Sequence, residues 1–313
     1  MYQAPTDVFC TGLYDGRDSS RHAKEAVAYE PGLLFWSDGA EKSRFLMLPA
    51  GSRIDTTDMD AWKFPIGTKA WKEFRLEGKL VETRLLWKRG EGDWTAAVYI
   101  WNTDQTAAPL NTARTGTLLP SGYEIPTAYK TCQKCHSGSA DELLGVEAVS
   151  LGLPTAKGIT LEVLASQNLL SAPPATTKIT LPEDGTGKAA GALGYLHVNC
   201  GMACHSSRAL ANETKLDMRL RAADFWPPAG APPSTVAMTA AYTTAVGQPV
   251  KTQTYVDAFP GAKRITPGAH DQSATWRVSH LRGMFQMPPI VSHKIDEAGT
   301  QTLAGWIDAL PKP

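Results

Sequence analysis

The run Cys132-Gln133-Lys134-Cys135-His136 constrains this chain more than any other five residues in it. Two thiols three positions apart, with an imidazole directly after the second, converge on one side of a single helical turn. At this spacing the thiols can add to the two vinyl groups of a haem while the histidine reaches its iron. Cys200-Gly201-Met202-Ala203-Cys204-His205 repeats the arrangement with one extra residue between the thiols. Gly201 and Ala203 are small enough for a tightened or bulged loop against a porphyrin edge. The expectation is two covalently attached c-type haems, bound through Cys132 and Cys135 and through Cys200 and Cys204, with His136 and His205 on the irons. Competing chemistries stay open at this point. A zinc half-site would need two further Cys or His ligands at short spacing. A thioredoxin-like pair would need a βαβ setting. Cys200 and Cys204 could instead form a disulfide. The fifth cysteine, Cys10, has no partner by spacing and reads as a free or buried thiol.

The sixth ligands follow different signals. Met287, in Gly283-Met284-Phe285-Gln286-Met287-Pro288-Pro289, sits on a loop before the last helix. Prolines after it stiffen that loop and hold the thioether in place. Met287 is therefore the candidate sixth ligand of the second haem, with Met284 as runner-up and core filling by both as the alternative. Between His136 and His197 there is neither His nor Met. His197 becomes the candidate for the first iron, against a histidine bonded in the core. Met47, Met59, His22 and an open, five-coordinate iron are the other possibilities. Arg264, Arg277 and Arg282 are weak candidates for pairing with haem carboxylates. His270, His280 and His293 read as ordinary polar residues.

Around these motifs the chain divides by pattern. Residues 1–120 read as β: short apolar runs at Leu33–Trp36 and Arg44–Pro49, and a hairpin of Trp71–Leu76 and Lys79–Trp87 about Glu77-Gly78. A turn at Arg89–Asp93 leads into a strand over Trp94–Trp101. This spacing predicts a sandwich or barrel-like domain. Ala107–Pro120 reads as a linker. Helical patterns follow at Asp141–Leu151, Leu161–Leu170 and Gly187–Val198. The last helix, Asp296–Leu310, has Asp296 as N-cap, an apolar stripe of Leu303, Trp306, Ile307 and Leu310, and Pro311 as its stop. The expected class is α+β, with a β-rich domain at 1–120, a first haem-binding region at 121–186 and a cytochrome c-like second haem domain at 187–313.

Lysine plus arginine balances aspartate plus glutamate at 31 each, so net charge gives no reason to expect nucleic acid or an anionic membrane as partner. No run reaches the ~18 apolar residues of a membrane span. The first thirty residues show no apolar signal segment. Covalent haem attachment then argues for a mature, exported form in the periplasm or outside the cell.

Several segments carry a resemblance. Arg264-Ile265-Thr266-Pro267-Gly268, Gln286-Met287-Pro288-Pro289 and the stretch from Asp296 to Trp306-Ile307 resemble the C-terminal half of class I-like cytochrome c modules in exported bacterial haem proteins. More widely, the chain resembles a family of exported bacterial di-haem c-type cytochromes with a β-rich N-terminal region. The matching segments include Thr11-Gly12-Leu13-Tyr14, Trp36-Ser37-Asp38-Gly39-Ala40-Glu41-Lys42, Phe64 to Phe74 and Gly194 to Cys200. The chain departs from that pattern at its second motif, with three residues between the cysteines instead of two. The resemblance implies haem attachment and export, but no particular reaction. The leading expectation is electron relay between redox partner proteins. The alternative is a di-haem peroxidase-like oxidoreductase with one open iron, which needs a distal acid–base group. No distal motif of that kind is legible.

Overall fold

A computed structural model describes residues 4–128, 131–207, 209 and 211–312. The chain is α+β and packs as two units. The first comprises residues 1–32, 39–136 and 140–178, and the second 33–38, 137–139 and 179–313. Three segments divided at 120 and 186 were expected. Instead the β-rich part and the first cysteine motif share one unit.

The first unit is built on one antiparallel sheet of β1 (Val27–Glu30), β2 (Glu41–Met47), β3 (Lys69–Leu76), β4 (Lys79–Gly90) and β5 (Asp93–Ile100). After the short hairpin of β6 (Thr117–Leu118) and β7 (Glu124–Ile125), β8 (Lys157–Gly158) pairs with β1. The sheet order is β5-β4-β3-β2-β1-β8. Among the described residues it is an open six-stranded sheet, neither sandwich nor barrel, and β6 and β7 form a separate two-stranded one. The expected hairpin forms as read: Glu77 and Gly78 both have positive φ, 51° and 77°, which matches the right-handed twist of the flanking strands. Leu33–Trp36, expected as a strand, lies instead in the second unit, outside the sheet.

Alternation gives the sheet two unlike faces. Phe45, Trp71, Leu85 and Ala97 are cross-strand neighbours on one face, packed with Val8, Leu13, Tyr14 and Tyr99. On the other face Tyr29, Arg44, Lys72, Arg84 and Val98 stand in register across five strands. Residues 1–120 do not close this unit alone, because β8 completes the sheet edge and Ile54 bridges to Leu170.

The helices of the first unit are short: α1 (Thr131–His136), α2 (Ala148–Gly152) and α3 (Leu161–Ser166). The helix expected over Asp141–Leu151 shrinks to α2 because Asp141 and Glu147 spend their carboxylates elsewhere. Asp141 bonds to the sheet, and Glu147 caps α2 at the Val149 and Ser150 amides.

The second unit holds α4 (Ala189–Leu196), α5 (Ala222–Phe225), α6 (Ala240–Ala245), α7 (Gln253–Ala258), α8 (Ala274–Ser279) and α9 (Glu297–Ala309). The terminal helix matches its reading. Asp296 accepts from the Gly299 amide at 2.9 Å, and Leu303, Trp306 and Ile307 are fully buried. Helices α4 and α9 pack together, with Gly191 and Gly299 at the close approach. Among the described residues no helix is long and apolar enough to cross a membrane.

Candidate functional site

The first motif is carried by α1, which ends on His136. Two steps tie it to the sheet. Asp141 accepts from the Lys88 ammonium at 2.8 Å, the Trp94 indole at 2.9 Å and the Phe64 amide at 2.6 Å. Its neighbour Glu142 then presents a backbone carbonyl 2.5 Å from Nδ1 of His136. A carbonyl can only accept, so Nδ1 carries the proton and the lone pair lies on Nε2. This is how a ligand histidine is oriented by its other nitrogen. Burial, with Lys72 nearby, pushes the ring down to about 4, so it is neutral at ordinary pH.

The cationic face of the sheet lies beside this turn. Arg84 and Glu82 act electrostatically on Cys132, and Lys72 on both thiols and on His136. Burial raises the Cys132 thiol against the pull of Arg84. Burial, with Arg44 and Arg84 on either side, brings Lys72 down to about 7. Arg84 is committed: Glu82 receives it at 2.9 and 2.6 Å, and the Tyr123 hydroxyl, which also donates to Glu82, accepts from it at 3.2 Å.

The second motif continues α4. Residues His197–Gly201 form a π-type turn, with the Met202 amide on the His197 carbonyl at 2.8 Å and the His205 amide on the Cys200 carbonyl at 2.8 Å. A five-residue step takes in one more residue than an α-turn. The widened turn ends at Gly201, and Cys204 and His205 follow on a turn that the Cys200 carbonyl still holds through their amides at 3.2 and 2.8 Å. Gly201 is small for a reason other than the one expected: a Cβ there would stand 2.6 Å from the Arg219 nitrogen, so a neighbouring backbone fills the space.

Cys200, Cys204, His205 and Tyr195 line a cleft of about 970 Å³, its open mouth included, whose walls are almost wholly apolar. Met287, Pro288 and Pro289 also line it, and the Met287 amide is held on the Val278 carbonyl at 2.7 Å. Met284 is 88% exposed and is not among the lining residues, which separates the two methionines. Burial lowers His205, with Arg264 adding to the effect, and pushes Cys200 up to about 12. Nδ1 of His205 is buried and has no hydrogen-bond partner among the described residues. An apolar cleft with two thiols and an under-bonded imidazole fits a flat, apolar, thiol-attached iron macrocycle. It fits zinc poorly, since zinc wants thiolates and a compact donor shell. Among the described residues no group of three or more His, Cys, Asp or Glu is placed to hold a metal ion. Among the described residues no two cysteines are joined in a disulfide.

The segment 33–38 straps this unit together, a role the sequence did not reveal. The Trp36 amide donates to Asn199, just before Cys200, at 2.8 Å, and its indole to the Lys294 carbonyl at 3.1 Å. Asp38 accepts from the His293 amide at 2.7 Å, fixing the chain between Met287 and α9.

The candidates for the first iron are engaged elsewhere. His197 is fully buried in the second unit and accepts the Leu220 amide on Nδ1 at 3.0 Å. Its proton then sits on Nε2, leaving no lone pair for iron, so His197 does not have the arrangement of a ligand. His22 lies with Phe45 and Tyr14 on the apolar face of the sheet, bonded to Glu73 at 2.9 Å. Met47 packs into that same cluster, and Met59 accepts from the Trp62 indole at 3.4 Å. Of the arginines, Arg264 lines the cleft but is bonded to the Thr214, Lys215 and Thr244 carbonyls. Arg277 stacks on Phe259, and Arg282 ties the loop before α9. His270 pairs with Asp308, and His280 stacks on Trp276.

No family model, no curated protein and no solved structure matches this chain.

Proposed function

We propose that this chain is an exported di-haem c-type cytochrome that relays electrons between redox partner proteins. What supports this most is the second motif: Cys200, Cys204 and His205 on one wall of an apolar cleft that Met287 also lines. The first motif adds His136, whose ring is neutral and oriented by the Glu142 carbonyl. The haems, when bound, supply one-electron chemistry at iron. The chain's own residues do the rest. The thiols hold the macrocycles, the histidines and Met287 set the iron ligands, and apolar walls exclude water and raise the potential. Covalent attachment is the ground for assigning the protein to the periplasm or the cell exterior.

The test is the intact mass of the exported protein, with peptide mapping. Two haems resistant to acid–acetone extraction, one on each cysteine pair, are expected. A single haem with a Cys200–Cys204 disulfide would defeat the di-haem claim.

A peroxidase-like oxidoreductase remains as a second reading because of one observation. His22, Met47, Met59 and His197, the side chains considered for the first iron's distal side, are all engaged elsewhere. Ready binding of carbon monoxide by one haem of the reduced protein would favour it. Two low-spin haems that exclude carbon monoxide would favour the relay.

A further inference from the structure

The loop that brings Met287 to the cleft is open to solvent over much of its length: Gly283, Met284, Pro288 and Pro289 are exposed. Gln286 braces it from within. Its side chain accepts the Gly283 amide at 2.9 Å and donates to the Pro288 and Ser292 carbonyls at 2.9 and 2.7 Å. That brace sets the shape of the loop but not its place against the helices.

Two contacts set the place. One is the Met287 amide, held on the Val278 carbonyl of α8 at 2.7 Å. The other is the ring of Phe285, two residues before Met287. It stands edge-on to Tyr255 of α7, with 5.8 Å between centroids and 68° between planes. It meets Phe259, which ends α7, at 5.9 Å and 69°. Tyr255 and Phe259 are themselves stacked at 6.5 Å, and the Arg277 guanidinium of α8 lies 4.3 Å over Phe259. Edge-to-face rings at these distances, and a cation over a ring face, are attractive arrangements. The cluster thus ties the loop to α7 and α8 together. Tyr255 and Val278 also line the cleft, so the anchor and the cleft wall share residues.

A thioether is a soft, neutral donor and holds oxidised iron loosely. It stays bound when the chain keeps it in place, at a high effective concentration. We infer that Phe285 is the positioning residue for the sixth ligand of the second haem: its ring, gripped by Tyr255 and Phe259, keeps Met287 at the cleft. The inference rests on the di-haem reading above, in which Met287 is that ligand. Helix α7 then does more than wall the cleft, because it governs how readily the second iron opens to an outside ligand.

The test uses the oxidised, full-length holoprotein, titrated with imidazole. The near-infrared sulfur-to-iron band belongs to a methionine-bound haem, so its loss reports displacement of Met287 whatever the first haem binds. Phe285→Ala removes two ring contacts and should lower the imidazole concentration for half displacement by about tenfold. Phe285→Leu, which keeps bulk but no ring, should show a smaller drop in the same direction, and it serves as the test if Phe285→Ala does not fold. Phe285→Tyr keeps the ring and should stay close to the unmodified protein. An unchanged titration in Phe285→Ala and Phe285→Leu, with or without a lower melting temperature, would overturn the anchor, since Phe285 would then be ordinary packing. So would a Phe285→Tyr protein that loses the band as easily as Phe285→Ala. Absence of the band from the unmodified protein, or its survival in Met287→Ala, would instead remove Met287 as the ligand, and the anchor with it.

Discussion

Tyr195 and Gly299 claim the same space: a Cβ on Gly299 would stand 2.2 Å from Cε2 of the Tyr195 ring. The contact lies where α4 meets α9, and Tyr195 is also part of the wall of the cysteine cleft. Helix packing and cleft shape therefore meet in one ring. Gly299→Ala should destabilise the second unit by ~1–3 kcal/mol, the usual cost of overpacking. Thermal unfolding would show this as a lower midpoint. The added methyl would also crowd the Asp296 cap at 2.5 Å. Combining it with Tyr195→Ala tells the two apart. Partial recovery in the double variant points to the ring, and none points to the cap.

Met287→Ala should remove the weak near-infrared sulfur-to-iron band of the oxidised protein, and Met284→Ala should leave it intact. Met287 lines the cleft, whereas Met284 is out in solvent. Loss of the band in Met284→Ala alone would mean that the wrong thioether has been assigned.

Asp141→Asn should disturb the first motif without touching it. The carboxylate gathers Lys88, Trp94 and the Phe64 amide, and the next residue supplies the carbonyl that orients His136. Removing the charge leaves the Lys88 ammonium, itself fully buried, short of its counter-charge. Breaking such a pair costs ~3–5 kcal/mol. Denaturant unfolding should show a loss of that order. The spin state or potential of the haem on the first motif should change, with the second haem unaffected.

Glu73 sets an acid limit on the first unit. Burial raises its carboxyl, but hydrogen bonds from His22 and Tyr14 and the nearby Arg75 more than reverse this and leave it below its ordinary value. A depressed carboxyl stabilises the fold fully above the ordinary carboxylate range. That contribution is lost as pH falls through the depressed value, because the unfolded chain takes up the proton first. Glu73→Gln should therefore cost ~3–5 kcal/mol near neutral pH. The gap from the unmodified protein should narrow as the pH drops below ~4.3. A gap independent of pH would show that the carboxylate's charge is not what stabilises this cluster.

Strong local signals were legible in the sequence. The Glu77-Gly78 hairpin and the Asp296-capped terminal helix could be read because backbone conformation, capping and side-chain period agree within a few residues. The open sheet could not. Its last strand comes from Lys157–Gly158, and two residues carry no period. The cysteine turns were visible by spacing, but the π-type turn that carries Cys200 is a backbone event. Nothing in the sequence sets Arg44, Lys72 and Arg84 together, since each lies in a different strand. They become a row only through cross-strand register. The choice between a ligand and a core histidine at His197 could not be read locally, because the Leu220 amide that bonds its ring lies 23 residues away.

The chain passes from one unit to the other after residues 32, 38, 136, 139 and 178. Trp36 and Asp38, which secure the second unit beside Cys200 and before α9, are encoded inside the first. Gly138, two residues past His136, must also stay small, because a Cβ there would stand 2.1 Å from the Ala203 carbonyl. A gene exchange with one breakpoint near residue 178 would thus deliver a second unit without its own strap. The two halves are interleaved rather than modular, so recombination cannot trade either as a cassette. A lineage inherits them together, and compensating changes in one half should be found in short stretches embedded in the other.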